Sequence, residues 1–91
     1  MRESPAEREI RAYLEQRAAR LSEEVRGYPT PIARCDEQLT GLLEARAETL
    51  GLLDRRGAAL IQAFAAASAR WGDAEALALS ERTATPSRSS V

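Results

Sequence analysis

The chain has 91 residues, a formal net charge of −1 and one cysteine. A chain of this length has room for one domain and a thin core, burying roughly 60–65% of its unfolded surface. Near-neutral charge gives no field that draws it to nucleic acid or an anionic membrane. With no His and a lone Cys, haem, zinc and Glu-x-x-His di-metal chemistry and an internal disulfide are excluded. All 13 basic residues are arginine, and Ala is abundant. That pattern fits a GC-rich coding bias, so arginine enrichment is a weak argument for phosphate binding.

The first element starts at Ser4-Pro5-Ala6-Glu7. Ser4 can cap, Pro5 suits the first helical position, and Glu7 completes a capping box. Ile10, Leu14, Ala18, Leu21 and Val25 then recur every three or four residues, which makes one apolar stripe. Glu7–Arg11, Arg11–Glu15 and Arg20–Glu24 are opposite charges one turn apart. Gly27 is a C-terminal stop. The first helix is therefore expected over about 5–26, roughly 33 Å long. The charged N-terminus reads as the start of this helix and is too polar for a signal peptide.

A connector over 27–33 follows, with Tyr28-Pro29-Thr30-Pro31-Ile32 at its centre. Each proline pushes its predecessor to extended geometry, so the segment is stiff and non-helical. An aromatic beside two prolines can serve as a contact surface for a protein partner. It can equally be a structural turn in which Tyr28 and Ile32 close the end of the core, and this is the favoured reading. Cys35, next along, stands near a helix start where thiol pKa values fall. It has no His to act as base, and Asp36 and Glu37 oppose a thiolate. It reads as a small half-buried packing residue, with a redox-formed cross-link between copies as the alternative.

The second helix begins between Ile32 and Asp36. A 4-3 spacing then runs through Leu39, Leu43, Arg46, Leu50, Leu53, Gly57, Leu60, Phe64, Ala67 and Trp71. Such a repeat marks a long helix with one buried seam. Gly41 and Gly51 each cost about 1 kcal/mol but need not break a helix. Gly57 is the candidate break, yet Ala58-Ala59-Leu60 resumes at once with no capping residue. One continuous helix from about 34 to 71 is expected, against the alternative of a third helix starting at Gly57. Arg46 on the seam is expected to lay its aliphatic stem across the core and its head near a Glu of another helix.

Trp71-Gly72-Asp73 ends that helix, and Asp73 can cap a short one over 74–82. The polar residues 83–91 are expected to be disordered. No apolar stretch reaches the about 20 residues that span a bilayer, so a cytoplasmic protein without membrane attachment is expected.

The expected fold is all-α: a helical hairpin whose heptad-bearing second arm outruns the first. The uncovered seam invites pairing into an antiparallel homodimeric bundle, crossing near Leu53 and Gly57. Leu50, Leu53, Gly57, Leu60, Phe64 and Trp71 form its interface; Tyr28, Pro29, Pro31, Ile32 and Cys35 are the possible partner contacts. No catalytic, metal or cofactor residue is nominated. The function expected is a non-enzymatic interaction or scaffold module that self-associates and binds a protein. The alternative is a small nucleic-acid-associated regulator using Arg8, Arg11, Arg26, Arg34, Arg55 and Arg56.

Overall fold

In a computed structural model, residues 3–28 and 36–84 are described. They form four helices: α1 over Pro5–Arg26, α2 over Asp36–Leu53, α3 over Gly57–Trp71 and α4 over Ala74–Ala84. Among the described residues the fold is all-α. It measures 57 × 26 × 16 Å. Its radius of gyration of 15.2 Å exceeds the about 12 Å of a compact chain of this length.

The local signals act where they stand in α1. The Ser4 hydroxyl accepts from the Glu7 N–H at 3.2 Å, and the Glu7 carboxylate accepts from the Ser4 N–H at 3.1 Å. Gly27 closes the far end by donating to the Glu23 carbonyl at 2.9 Å. α2 then runs back along α1. Arg17 Nε donates to Thr49 Oγ1 at 3.2 Å, and Arg46 Nε to Ser22 Oγ at 2.9 Å. Arg46 is half-buried on the α1–α2 seam, as its amphipathic length allows, but its head meets a serine rather than a glutamate.

The continuous helix over 34–71 does not form. The chain turns at Asp54-Arg55-Arg56 and α3 doubles back against α2, which brings Arg70 to Glu48. The last turn of α2 tightens through Asp54 N–H to Gly51 O and Arg55 N–H to Leu52 O. Gly57 then takes φ +58°, a left-handed conformation that glycine adopts without penalty. No atom would lie within 4 Å of a Cβ there. Gly57 thus serves the backbone bend and permits no close approach of another helix. The missing cap is supplied from elsewhere: the Glu7 carboxylate accepts from the Gly57 N–H at 2.7 Å.

α4 reverses again. Gly72 at φ +68° ends α3, and the Asp73 carboxylate accepts from the Glu75 N–H at 3.1 Å. The helix extends two residues past its expected end, to Ala84. It returns along α1, with Arg82 3.2 Å from Glu9.

The core joins Ile10, Tyr13 and Leu14 of α1, Leu52 of α2, Leu60, Phe64 and Ala67 of α3, and Ala76 and Leu79 of α4. In α3 the 4-3 spacing marks this core. The seam from Leu60 to Trp71 is therefore covered within one chain, by α1 and α4, and does not stand open for a second copy. In α2 the same spacing reaches the core only at its end, where Leu53 packs against it. Leu43 and Leu50 are exposed, while Thr49 and Leu52 are buried and Leu42 and Ala45 half-buried. The cause is that α2 is flanked by α1 on one side and α3 on the other. The covered arc is centred between those two neighbours, and the leucines at 43 and 50 fall outside it.

Candidate functional site

Three groupings could carry function: the α2–α3 turn, an aromatic cluster toward the far end of α3, and the outward face of α2.

At the turn, two α1 side chains one helical turn apart divide the work. Glu7 holds the start of α3. Arg11 reaches the end of α2, where Nη1 donates to the Leu53 carbonyl at 2.7 Å and Nη2 to the Arg55 carbonyl at 2.6 Å. A helix end leaves N–H or C=O groups unpaired, and its dipole favours an anion at the start and a cation at the finish. Glu7 and Arg11 supply those charges with the right sign at each end. Arg11 Nε also stands 2.5 Å from Glu3 as an ion pair, although its N–H is not aligned for a hydrogen bond. The hydrogen bonds from the Gly57 and Ser4 N–H groups hold the Glu7 carboxyl below the usual glutamate range.

Toward the far end of α3, the rings of Tyr13, Phe64 and Trp71 pack with centroids 5.7, 6.4 and 6.2 Å apart. The Arg17 guanidinium lies 3.7 Å over the Trp71 ring, a cation–π contact. Trp71 Nε1 donates to Glu48 at 3.1 Å, and Arg70 pairs with the same carboxylate at 2.5 Å. The Tyr13 hydroxyl donates to Asp73. The pKa directions follow. Arg70 and Trp71 hold Glu48 low against its desolvation. The Tyr13 hydroxyl holds Asp73 low. Burial first, and then Asp73, push Tyr13 up. Each shift deepens the state that the group already has at neutral pH, an ionised carboxylate or a protonated phenol. A general base or acid is tuned the other way, toward the working pH. The cluster fastens α1, α2, α3 and the α4 cap together.

The nominated interface residues separate accordingly. Leu60 and Phe64 have no exposed surface, Leu53 and Trp71 are half-buried against the core, and Gly57 lies in the turn. Leu50 alone of that set stands out in solvent, at 42% exposure, with Leu43 at 43% one heptad before it. Tyr28 is half-buried and its hydroxyl donates to Gln38 at 3.0 Å, across the connector end of the α1–α2 hairpin. Pro29, Pro31, Ile32, Arg34 and Cys35 lie outside the described residues. Of the arginines considered for nucleic acid, Arg11 is committed to the turn and Arg26 pairs with Glu23 at 2.7 Å. Arg8, Arg55 and Arg56 are exposed.

An open groove of about 360 Å³ runs between α2 and α3, lined by Gly51, Leu52, Ala63 and Ala66 with Glu48, Arg55 and Arg70. Among the described residues no group of three or more His, Cys, Asp or Glu is placed to hold a metal ion. No helix among them is long and apolar enough to cross a membrane.

Sequence reasoning found Asp73 as a cap but missed its pairing with Tyr13 and the use of Tyr13 and Glu48. The available signal was Tyr13 itself, one residue ahead of the core Leu14 and so on the flank of the α1 stripe. Its partner is sixty residues away, beyond the reach of helical spacing. Compared with protein-family models, with known proteins and with solved structures, the chain finds no match.

Proposed function

We propose that this chain is a non-enzymatic helical interaction module that self-associates and binds a protein partner. One observation carries the reading: Leu43 and Leu50 stand on one face of α2, both more than two-fifths exposed, with Thr40 and Ala47 also exposed beside them. Exposed leucines met singly are ordinary. Two at heptad spacing, with Arg46 half-buried between them and Asp54 exposed one turn beyond, make a short apolar strip of the kind on which a second helix lies. The titratable groups with shifted pKa support the same class, since each is fixed in its resting state by a structural partner.

The experiment is sedimentation over a concentration series, for the native chain and for Leu43→Glu/Leu50→Glu. The native chain should dimerise, with a melting temperature that rises with concentration. The double variant should stay monomeric with the melting temperature of the dilute native chain, because neither side chain is part of the core. A native chain that remains monomeric at about 100 μM, a concentration at which weak specific pairs of micromolar affinity are full, refutes the reading.

A further inference from the structure

The α2–α3 turn offers a route to that self-association. The turn is three residues long, Asp54-Arg55-Arg56, and little in it is self-sufficient. Arg56 stands at the N-cap of α3 without a side-chain cap. The Gly57 N–H and the Leu53 and Arg55 carbonyls are held instead by Glu7 and Arg11, both from α1. None of the residues Asp54–Arg56 is a helix breaker, and the sequence resumes as Ala58-Ala59-Leu60. Leu52 and Leu60, the core residues flanking the turn, are eight apart in sequence. At 100° per residue, straightening the turn would leave the buried stripes of α2 and α3 within about a quarter-turn of each other.

We propose that two copies of the chain exchange their α3–α4 halves. The segment Asp54–Gly57 straightens, and α2 and α3 fuse into one helix, Asp36–Trp71, about 54 Å long. The α3–α4 pair of each copy packs on the α1–α2 hairpin of the other, and the two long helices cross antiparallel at Gly57. Every core contact of the closed chain recurs between copies. The fused helix pairs its own N–H and C=O groups across the former turn, and Glu7 and Arg11 are left to pair with each other. Leu43, Leu50 and Gly57 are seven apart and share one face of the fused helix. The second copy's α3 packs on the Glu48 and Leu52 side of α2, as α3 does in the closed chain, so Leu43 and Leu50 stay on the outward face of the fused helix. A hinge this short, held closed from outside itself, is the kind that invites exchange.

The inference rests on the self-association reading, and the test separates the two. Spin labels are placed through Ala47→Cys and Ala69→Cys in a Cys35→Ser background. The labelled chain is refolded at high concentration with an excess of unlabelled chain, so that only distances within a chain are read. In the closed chain the two labels neighbour the touching Glu48–Arg70 pair. In a fused helix they stand 22 residues, or about 33 Å, apart. The monomer fraction should give the short distance and the dimer fraction the long one. Gly57→Ala should strengthen dimerisation by on the order of a thousand-fold. Ala is disfavoured at a left-handed position and favoured within a helix, and two hinges open per dimer. Inserting Gly-Gly-Ser between Arg55 and Arg56 should abolish the long distance. A dimer that keeps the short distance overturns the exchange and leaves self-association standing. A Gly57→Ala chain that stays monomeric overturns the exchange as well. A native chain that forms no dimer at any concentration overturns the self-association reading itself.

Discussion

Replacing Gly57 by Ala tests the turn on which the whole arrangement depends. Gly57 sits at φ +58° with no atom within 4 Å of the position a Cβ would take, so the substitution acts through the backbone alone. A left-handed alanine costs about 1–2 kcal/mol. The stiffer unfolded chain returns about 0.4–1 kcal/mol. The closed monomer should therefore lose roughly 0.5–1.5 kcal/mol, and each kcal/mol moves the melting temperature of a domain this size by about 4–8 °C. Gly51→Ala is the control. Gly51 lies inside α2, is exposed, has no positive φ and likewise has open space around it. There alanine should gain about 1 kcal/mol. The assay is thermal melting at low micromolar concentration, where exchange between copies does not contribute. Opposite shifts for the two variants are expected. Equal stabilisation by both would mean that Gly57 is helical and would refute the turn.

Two further predictions probe the core and its charges. Phe64 has no exposed surface and touches Tyr13 and Trp71, so Phe64→Ala should cost about 3–5 kcal/mol, much of the about 5–14 kcal/mol that a chain of this length holds; denaturant unfolding followed by Trp71 emission measures it, and a loss below about 1 kcal/mol would place the ring at the surface. The pKa directions set the pH response: Glu7, Glu48 and Asp73 are held low in the folded chain, so their contribution is present above the unfolded carboxylate values near about 4 and is lost as pH falls through the lower folded values. Tyr13 is raised, so its contribution is complete below about pH 10 and is lost as pH rises beyond it through the higher folded value. Urea midpoints from pH 3 to 11 should form a plateau with a fall at each end; a midpoint unchanged between pH 7 and 3 contradicts the ion-pair assignments.

What was legible in the sequence was what is decided locally. Ser4, Pro5, Glu7 and Gly27 act within a few residues of themselves, and α1 starts and stops where they stand. Trp71-Gly72-Asp73 marks the α3–α4 junction for the same reason, since a left-handed glycine followed by a capping aspartate needs no distant partner. The α2–α3 turn is different. Its carbonyls and its first N–H are paired by side chains 42 to 50 residues away. No capping residue announces it, and the apolar spacing passes through it unbroken. The same spacing marks the core in α3 and reaches it in α2 only at Leu53, because a periodic stripe records that a helix has a buried face without recording which neighbours cover it. With α1 and α3 on adjacent sides of α2, the covered arc moves toward Thr49 and Leu52 and releases Leu43 and Leu50.

That release bears on function more than any charged group does. The chain holds few large side chains: one Trp, one Phe and two Tyr. Tyr13, Phe64 and Trp71 stand in a single cluster, and Tyr28 closes the hairpin end. The carboxylates with shifted pKa are each engaged by a named donor, so none is held in reserve for proton transfer. Among the described residues the large apolar side chains that stand in solvent are Leu43 and Leu50 of α2 and Leu77 of α4, and only the α2 pair shares one helix face. Burying the two-fifths of each side chain still exposed is worth about 0.6–1.2 kcal/mol. Under the proposed self-association a second surface would recover that amount from each of the two. The outward strip and the turn held by α1 are separate features of one segment, and the proposed self-association is tested at the strip first, because substitution there leaves the core untouched.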